Sequence, residues 1–412
     1  MSLAAGTRAA TLNAGALHAA ATRIRAALAR PLSSARIASS LARVLSEFQQ
    51  RDNVRRRRVV EQIASRTGFS APLLDASLDA LLHPFSNDAL DSLAQRARHR
   101  PELCAFVMAG NAAGAGIHEI VLAMLAGCGL LVKAASSEPI FWTEFEAALA
   151  EIDPALSQHL AVFNWSRDDR QMSAELAELV DVLVAYGDDA TISALSNDRA
   201  FVGFGSRISG AIVAPEAMPA SRLGEIAAAI AIDTSLYEQL GCLSPHHVFV
   251  VEADAAGARD FARRIAAELR NTAGRFPAPL RLPLEDAAAI RRVREVARWR
   301  AIGGDDLELI EGPRLDWTVV FDAAASFSVS PGYRTLVVSA VADAAELGRR
   351  IEPASPYLES MSLAAAGQTG AEIRAILEHL QIPRICAPGE MQSPPLDWRH
   401  GGAFFDRMIS PR

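Results

Sequence analysis

Apolar residues recur every three or four positions over 17–28, 37–48 and 73–82, which predicts helices there. Pro31, Pro72 and Pro84 punctuate them. At 103 the pattern changes. A short apolar run, 103–109, leads into the glycine-rich stretch 110–116. Helical spacing resumes over 117–128, and a second apolar run follows at 130–133. Strand, loop, helix and strand in that order imply a parallel sheet. The alternation continues: helix 141–152, strand 159–163, helix 172–179, strand 180–186. It predicts a doubly wound nucleotide-type domain over about 100–214. The stretch 211–215 closes that unit, and Pro215 and Pro219 mark a boundary.

A second α/β pattern follows. Helices are expected at 223–231, 255–272, 284–298 and 372–380. Strands are expected at 247–252, 318–321, 335–341 and 382–386. The tail from Pro388 onward shows no periodicity. No internal repeat and no low-complexity stretch is visible.

Composition narrows the class. The chain has 412 residues, of which 50% are hydrophobic and 22% charged. Two or three globular domains fit that length, and disorder does not fit that apolar content. The net charge of −7 leaves no global basic field for nucleic acid. No apolar run reaches the roughly 18 residues a membrane span needs. The first 20 residues lack a basic segment followed by an apolar one, so no signal peptide is expected. Cys104, Cys128, Cys242 and Cys386 are too dispersed for a disulfide framework or a zinc knuckle, and a reducing cytoplasm is the expected setting.

Lys133 is the one lysine among 41 basic residues. A lysine that persists where arginine replaces lysine everywhere else points to a need for its compact ammonium. The run Arg55–Arg58 reads as a solvated helix face, because no aromatics interleave it. Gly110, Gly114 and Gly116 have the spacing of a short-chain dehydrogenase phosphate loop. The Tyr-x3-Lys pair of such enzymes is absent, and Asn111 inside the loop suggests another use. Cys104, Cys128 and Cys386 read as small buried side chains. Cys242 lies among turn residues after Gly241, so it reads either as a nucleophile or as one more buried thiol.

Four features occur in order: a Gly-Asn loop after a strand, a strand ending in Lys, a strand ending in aromatic-Gly, and a Gly-Cys. In that order they resemble the aldehyde dehydrogenase superfamily, and within it the LuxC-like acyl-CoA reductases of the bioluminescence type. The resemblance covers roughly 100–402. It is sharpest at 109–111, 131–134, 182–188, 201–209, 231–250 and 398–402. Gln239-Leu240-Gly241-Cys242-Leu243-Ser244-Pro245 before an apolar strand is its most specific stretch. Trp398, His400, Gly401 and Gly402 are similar to the family's C-terminal motif, with Gly401 where Asp is common.

The resemblance implies an α/β, aldehyde-dehydrogenase-like fold: two doubly wound domains preceded by a helical segment. The implied boundaries are a helical region at 1–99, an NADP(H)-binding domain at 100–214, a catalytic domain at 215–390 and a tail at 391–412 that packs back. It implies that Cys242 takes the acyl group. Asn111 and the Cys242 backbone N–H are the implied oxyanion donors. Lys133, with Ser136, Gly187 and Gly205, is implied at the cofactor. His246, His247 and His400 are candidates for substrate contact or proton transfer. In β geometry His246 and His247 point to opposite faces, so at most one serves a site, and packing is the other reading for each.

Two departures from the superfamily pattern shape the expected chemistry. Ser136 stands where many oxidising members have a Glu that grips the adenosine 2′-hydroxyl. Losing that carboxylate removes repulsion for a 2′-phosphate, which favours NADPH. Gly203 stands where the oxidising enzymes carry the glutamate that activates water, and no Asp or Glu occurs from 201 to 214. Slow hydrolysis of a thioacyl enzyme suits a reductase. The implied activity is NADPH-dependent reduction of an acyl-CoA or carrier-bound acyl thioester to an aldehyde. Aldehyde oxidation and a non-reducing carrier subunit are the alternatives. A homo-oligomer and an acyl-activating or carrier-protein partner are implied as well.

Overall fold

Leu103–Val107 is a five-residue apolar strand that pairs in parallel on both edges, and its first four residues are fully enclosed. Such continuous burial is expected of a central strand with both sheet faces covered. The computed structural model describes residues 14–196, 200–215, 220–398, 400 and 402–410. Its strands are β1 (Leu103–Val107), β2 (Gly129–Ala134), β3 (Leu160–Asn164), β4 (Val182–Tyr186), β5 (Ala200–Phe204) and β6 (Ile208–Val213). They continue with β7 (Pro245–Val251), β8 (Leu307–Glu311), β9 (Thr318–Asp322), β10 (Thr335–Val341), β11 (Leu358–Ala364) and β12 (Arg384–Cys386). The described residues divide into two units, one from 14–59, 85–205 and 400–410, the other from 60–84 and 206–398.

The first unit holds a five-stranded parallel sheet in the order β3-β2-β1-β4-β5. Helix Ala14–Leu28 sets Leu17, Ala21 and Ile24 against Leu103, Ala105, Leu131 and Leu183 of that sheet. The order reverses between β1 and β4. Parallel sheets bind ligands beyond their carboxyl ends at such a reversal. The loops after β1 and β4 lie there.

The arginine run departs from expectation. Arg55 and Arg56 are buried rather than solvated. Arg55 sits at the centre of three carboxylates, bonding Glu47 at 2.7 Å, Glu144 at 2.8 Å and Glu151 at 2.7 Å. A guanidinium has five donors in a rigid fork, so it can gather three carboxylates from two helices and be buried. Arg57 and Arg58 do face solvent. The tail also holds an element that its pattern did not reveal, the short helix Ala403–Met408. Phe404 meets Phe106 edge to face at 6.0 Å, and Arg407 pairs with Glu102 at 2.6 Å.

The second unit holds a seven-stranded sheet in the order β12-β11-β6-β7-β10-β9-β8. All its pairings are parallel except β8 with β9. β7 is buried at every position, and its side chains alternate between two cores. Val248 and Val250 pack with helices Leu223–Ser235 and Ala255–Arg275. Phe249 and Val251 pack with helices Ala344–Ile351 and Gly367–His379.

Candidate active site

Cys242 is held by the backbone that precedes it. Helix Leu223–Ser235 ends with Thr234 and Ser235 returning their hydroxyls to the carbonyls of Ile230 and Ala231, both at 2.7 Å. The chain then makes a turn in which Tyr237, Glu238 and Gln239 all have left-handed backbones, with φ of 56°, 52° and 62°. Each such residue with a side chain costs roughly 1–2 kcal/mol. Three in succession persist only where their surroundings fix them.

The fixing contacts are all present in the second unit. Tyr237 donates its N–H to Ser77 Oγ at 3.1 Å and its hydroxyl to the Ser77 carbonyl at 2.8 Å. The Glu238 carbonyl accepts from Tyr333 N–H at 2.8 Å, and its carboxylate accepts from Arg334 at 2.6 Å. Glu238 and Arg334 are both enclosed. Burial raises the Glu238 pKa to about 7 despite that arginine. Gln239 donates to the carbonyls of Pro245 at 2.7 Å and Thr335 at 2.8 Å, and accepts from Thr335 N–H at 2.6 Å.

Leu240–Ser244 forms the loop itself. Ser244 N–H closes a turn on the Gly241 carbonyl at 3.0 Å. Ser209 Oγ donates to the Cys242 carbonyl at 2.7 Å. Gln392 donates to Ser244 Oγ at 3.0 Å and to the Asp233 carbonyl at 3.1 Å. The Cys242 side chain is half-buried, and so, against expectation, is Cys386, while Cys104 and Cys128 are buried; none of the four is in a disulfide. The loop that carries the Cys242 sulfur is thus held through the Gly241 and Cys242 carbonyls, the Ser244 N–H and the Ser244 hydroxyl.

His246 and His247 follow on β7, where the pairing with β6 is irregular, and both reach the 328–330 segment. His247 is enclosed, stacks on Phe249 at 4.2 Å, and reaches Ser339 Oγ at 2.8 Å. Burial, with Arg350 nearby, lowers its pKa to about 3. His246 accepts the Ser330 N–H at Nδ1 at 3.2 Å and meets Ser330 Oγ at 2.8 Å. Burial lowers its pKa to about 4. Both imidazoles are therefore neutral at pH 7, and His247 is built into the core.

The first unit carries the remaining sequence-derived candidates, all at the carboxyl ends of its strands. Asn111 is exposed in the loop after β1. Gly110, beside it, has no room for a side chain, since a Cβ would fall 1.9 Å from Ser137 Oγ. Gly116 opens helix Ile117–Leu125 with a left-handed φ of 85°. Lys133 is the penultimate residue of β2 and is buried; burial lowers its pKa, and among the described residues no carboxylate is paired with it. Ser136 donates to the Trp165 carbonyl at 2.8 Å. Gly187 follows β4 and donates its N–H to the Phe204 carbonyl at 3.2 Å. Gly205 follows β5, where a Cβ would meet Asp189 at 2.6 Å.

His400 is anchored in the same unit. Its Nδ1 lies 2.7 Å from Glu119, and its ring lies 4.4 Å from Phe204, which stacks on Tyr186 at 4.5 Å. Burial would raise the Glu119 pKa, but His400 and His118 outweigh it and hold the carboxyl at about 2. Sequence reasoning missed Glu119, Ser209, Glu238, Arg334 and Gln392. Gln239 opens the Gln239–Pro245 stretch, but nothing in the sequence around it signals this bracing role.

A nicotinamide dinucleotide fits the first unit. The sheet order supplies the reversal point, glycines stand at the loop positions, and Lys133 is a buried cation without a carboxylate partner among the described residues. No group of His, Cys, Asp and Glu among the described residues has the geometry to hold a metal. No described helix is long and apolar enough to cross a membrane.

Comparison with known proteins agrees with this architecture. A benzaldehyde dehydrogenase from Corynebacterium glutamicum, described as NAD-dependent, is 14% identical with a TM-score of 0.71, covering 97% of this chain and 89% of that one. Aldehyde dehydrogenase 21 from Physcomitrella patens is 12% identical with a TM-score of 0.71, covering 94% and 84%. The fold is that of the aldehyde dehydrogenases. A long-chain acyl-protein thioester reductase from Aliivibrio fischeri is 23% identical over 249 residues, 58% of this chain and 49% of that protein. The match spans about half the length of that curated relative. Residues 30–409 match the family described as acyl-CoA reductase (LuxC), so the chain belongs to the LuxC acyl-CoA reductase family.

Proposed function

We propose that this protein reduces an acyl thioester to an aldehyde with NADPH, through an acyl group carried on Cys242. The observation that carries the reading is the bracing of Leu240–Ser244, which holds a half-buried thiol on a fixed backbone in a member of this family. A relative named for acyl-protein thioesters supports a protein-borne acyl donor, with acyl-CoA as the other source.

In this reading the Cys242 thiolate attacks the thioester carbonyl carbon and a new C–S bond forms. Asn111 and the Cys242 N–H stabilise the oxyanion, a contribution of several kcal/mol. The oxyanion collapses, the donor's C–S bond breaks, and the departing thiolate takes a proton. Exchange between two thioesters is nearly balanced, so positioning and a reactive thiolate suffice. Lys133 and the loops after β1, β4 and β5 would hold the dinucleotide, with Ser136 leaving room for a 2′-phosphate. Bound NADPH supplies the hydride that takes the thioacyl carbonyl to the aldehyde level. Cys242 then leaves as thiolate and the aldehyde is freed.

Residues 201–214 include no carboxylate to activate water, so the thioacyl enzyme lasts until it is reduced. Four cysteines outside any disulfide suit a reducing cytoplasm. The test is intact mass after incubation with palmitoyl-CoA and no nicotinamide. The reading expects one palmitoyl group on a peptide containing Cys242, and none on Cys242→Ser. Acyl groups spread over other thiols, or none at all, would remove the nucleophile assignment.

A further inference from the structure

The large apolar side chains exposed among the described residues are concentrated in one place. Leu280, Leu284, Val296, Trp299 and Ile302 fall between residues 280 and 302, and only Val54, Val329 and Tyr357 lie elsewhere. Leu284, Trp299 and Ile302 are 83%, 72% and 79% exposed. Helix Leu284–Ile302 accounts for four of the five. At about 100° per residue, Leu284, Arg291, Arg292, Val296, Trp299 and Ile302 share an arc of roughly 140°. The opposite side, Ile290, Arg294 and Ala297, is buried against its own unit. The helix is therefore apolar on two faces, and only one of them is covered. It also borders two cavities, of about 570 and about 460 Å³.

The charges on this face are lopsided. Arg294 is committed inward, to Thr318 at 2.9 Å and the Trp317 carbonyl at 2.9 Å. Arg298 pairs with Glu295 and Glu311, and Arg300 pairs with Asp305 and Asp322. Arg281, Arg291 and Arg292 are exposed, and among the described residues none has an ion-pair partner. Glu285 is the one acidic side chain on the arc that no arginine neutralises among the described residues. An unpaired basic cluster of this kind stands out on a chain of net charge −7. Two copies of the chain meeting symmetrically here would set these arginines against themselves, because a two-fold interface is self-complementary.

We infer that the outer face of helix Leu284–Ile302, with Leu280 and Arg281, docks an acidic acyl-carrying protein. The apolar ridge of Val296, Trp299 and Ile302 would form the dry centre of the contact, and the three arginines would steer the partner. The inference rests on the reading of the protein as a thioester reductase and names where its donor sits.

The test compares two donors, palmitoyl-loaded acyl carrier protein and the small neutral thioester S-palmitoyl-N-acetylcysteamine. The variants are Arg281→Glu/Arg291→Glu/Arg292→Glu and, separately, Trp299→Ser/Ile302→Ser. The expected result is a KM for the protein donor raised about tenfold or more in each variant, with kcat/KM for the small thioester unchanged. Direct calorimetric titration with the carrier protein should show the same loss of affinity. Equal effects on both donors, no effect on the protein donor, or failure of the wild type to bind the carrier protein would overturn the inference. So would a wild-type dimer in sedimentation that charge reversal dissociates. Binding of the carrier protein with no NADPH oxidation from either donor would uphold the docking face and refute the reductase reading.

Discussion

The side chain of Gln239 pairs with Thr335 as a neighbouring strand would, accepting from its N–H at 2.6 Å and donating to its carbonyl at 2.8 Å. The same amide donates to the Pro245 carbonyl at 2.7 Å, so one residue ties the first residues of β7 and β10 together three positions before Cys242. Gln239→Ala removes three hydrogen bonds to enclosed backbone groups and leaves Thr335 N–H only its longer bond to the Gly332 carbonyl at 3.2 Å. The expected cost is about 2–4 kcal/mol in urea unfolding, with altered iodoacetamide labelling of Cys242. A cost under about 0.5 kcal/mol would mean the amide is not needed there.

Ser136 is expected to set the choice of dinucleotide. Ser136→Glu introduces a carboxylate where a 2′-phosphate is proposed to lie. The KM for NADPH should rise about tenfold or more while that for NADH changes little, and Lys133→Met should weaken both. Steady-state kinetics with each cofactor checks this. An unchanged NADPH-to-NADH preference in Ser136→Glu would disprove the assignment.

Asp233 gives stability a pH dependence of definite sign. It is enclosed; Oδ2 accepts from Gly389 N–H at 2.6 Å and Oδ1 has no partner among the described residues. Burial raises its pKa from 3.8 to about 7, against the lowering effect of the Gly389 and Met391 amides and Arg384. The folded protein therefore holds this proton more tightly than the unfolded chain. Its contribution is full below about pH 4 and lost as pH rises through about 7, at most about 4 kcal/mol. Asp233→Asn keeps the shape and removes the titration. Unfolding free energies across pH 4–8 should fall more steeply for wild type than for Asp233→Asn; parallel curves would contradict the effect.

Arg55 should matter far more than its neighbours in the run. Arg55→Leu strands the largely covered Glu47 and leaves the largely covered Glu144 only its bond to Arg58 at 3.2 Å, whereas Glu151 is mostly exposed. The expected loss is about 2 kcal/mol. Arg57→Leu, on the solvent side, should cost less than about 0.5 kcal/mol. Chemical denaturation of both variants distinguishes them, and equal costs would restore the solvated-face reading.

The parts of the fold that the sequence made legible are those in which local pattern and tertiary burial agree. β1, β2 and β10 are predominantly apolar and largely buried, so composition marks them. β11 was missed because Glu359, Ser360 and Ser362 are polar and yet buried. β5 and β8 are edge strands, half exposed and without a clean alternation. Cys242 drew attention through its turn-like neighbours. The clamp around it did not, because Gln239 and Thr335 are 96 residues apart. Nothing in Tyr-Glu-Gln announces three left-handed residues, since none of the three favours a positive φ. Arg55 was misread because a run of like charges carries no record of the carboxylates that the fold brings to it.

The central claim is that Cys242 carries an acyl group that NADPH then reduces. The most direct measurement is NADPH oxidation by wild type and Cys242→Ser with acyl thioesters of several chain lengths, trapping and identifying the carbonyl product. The account predicts stoichiometric aldehyde from wild type and none from Cys242→Ser, with the variant's unfolding curve unchanged. Aldehyde formation that survives in Cys242→Ser would contradict it.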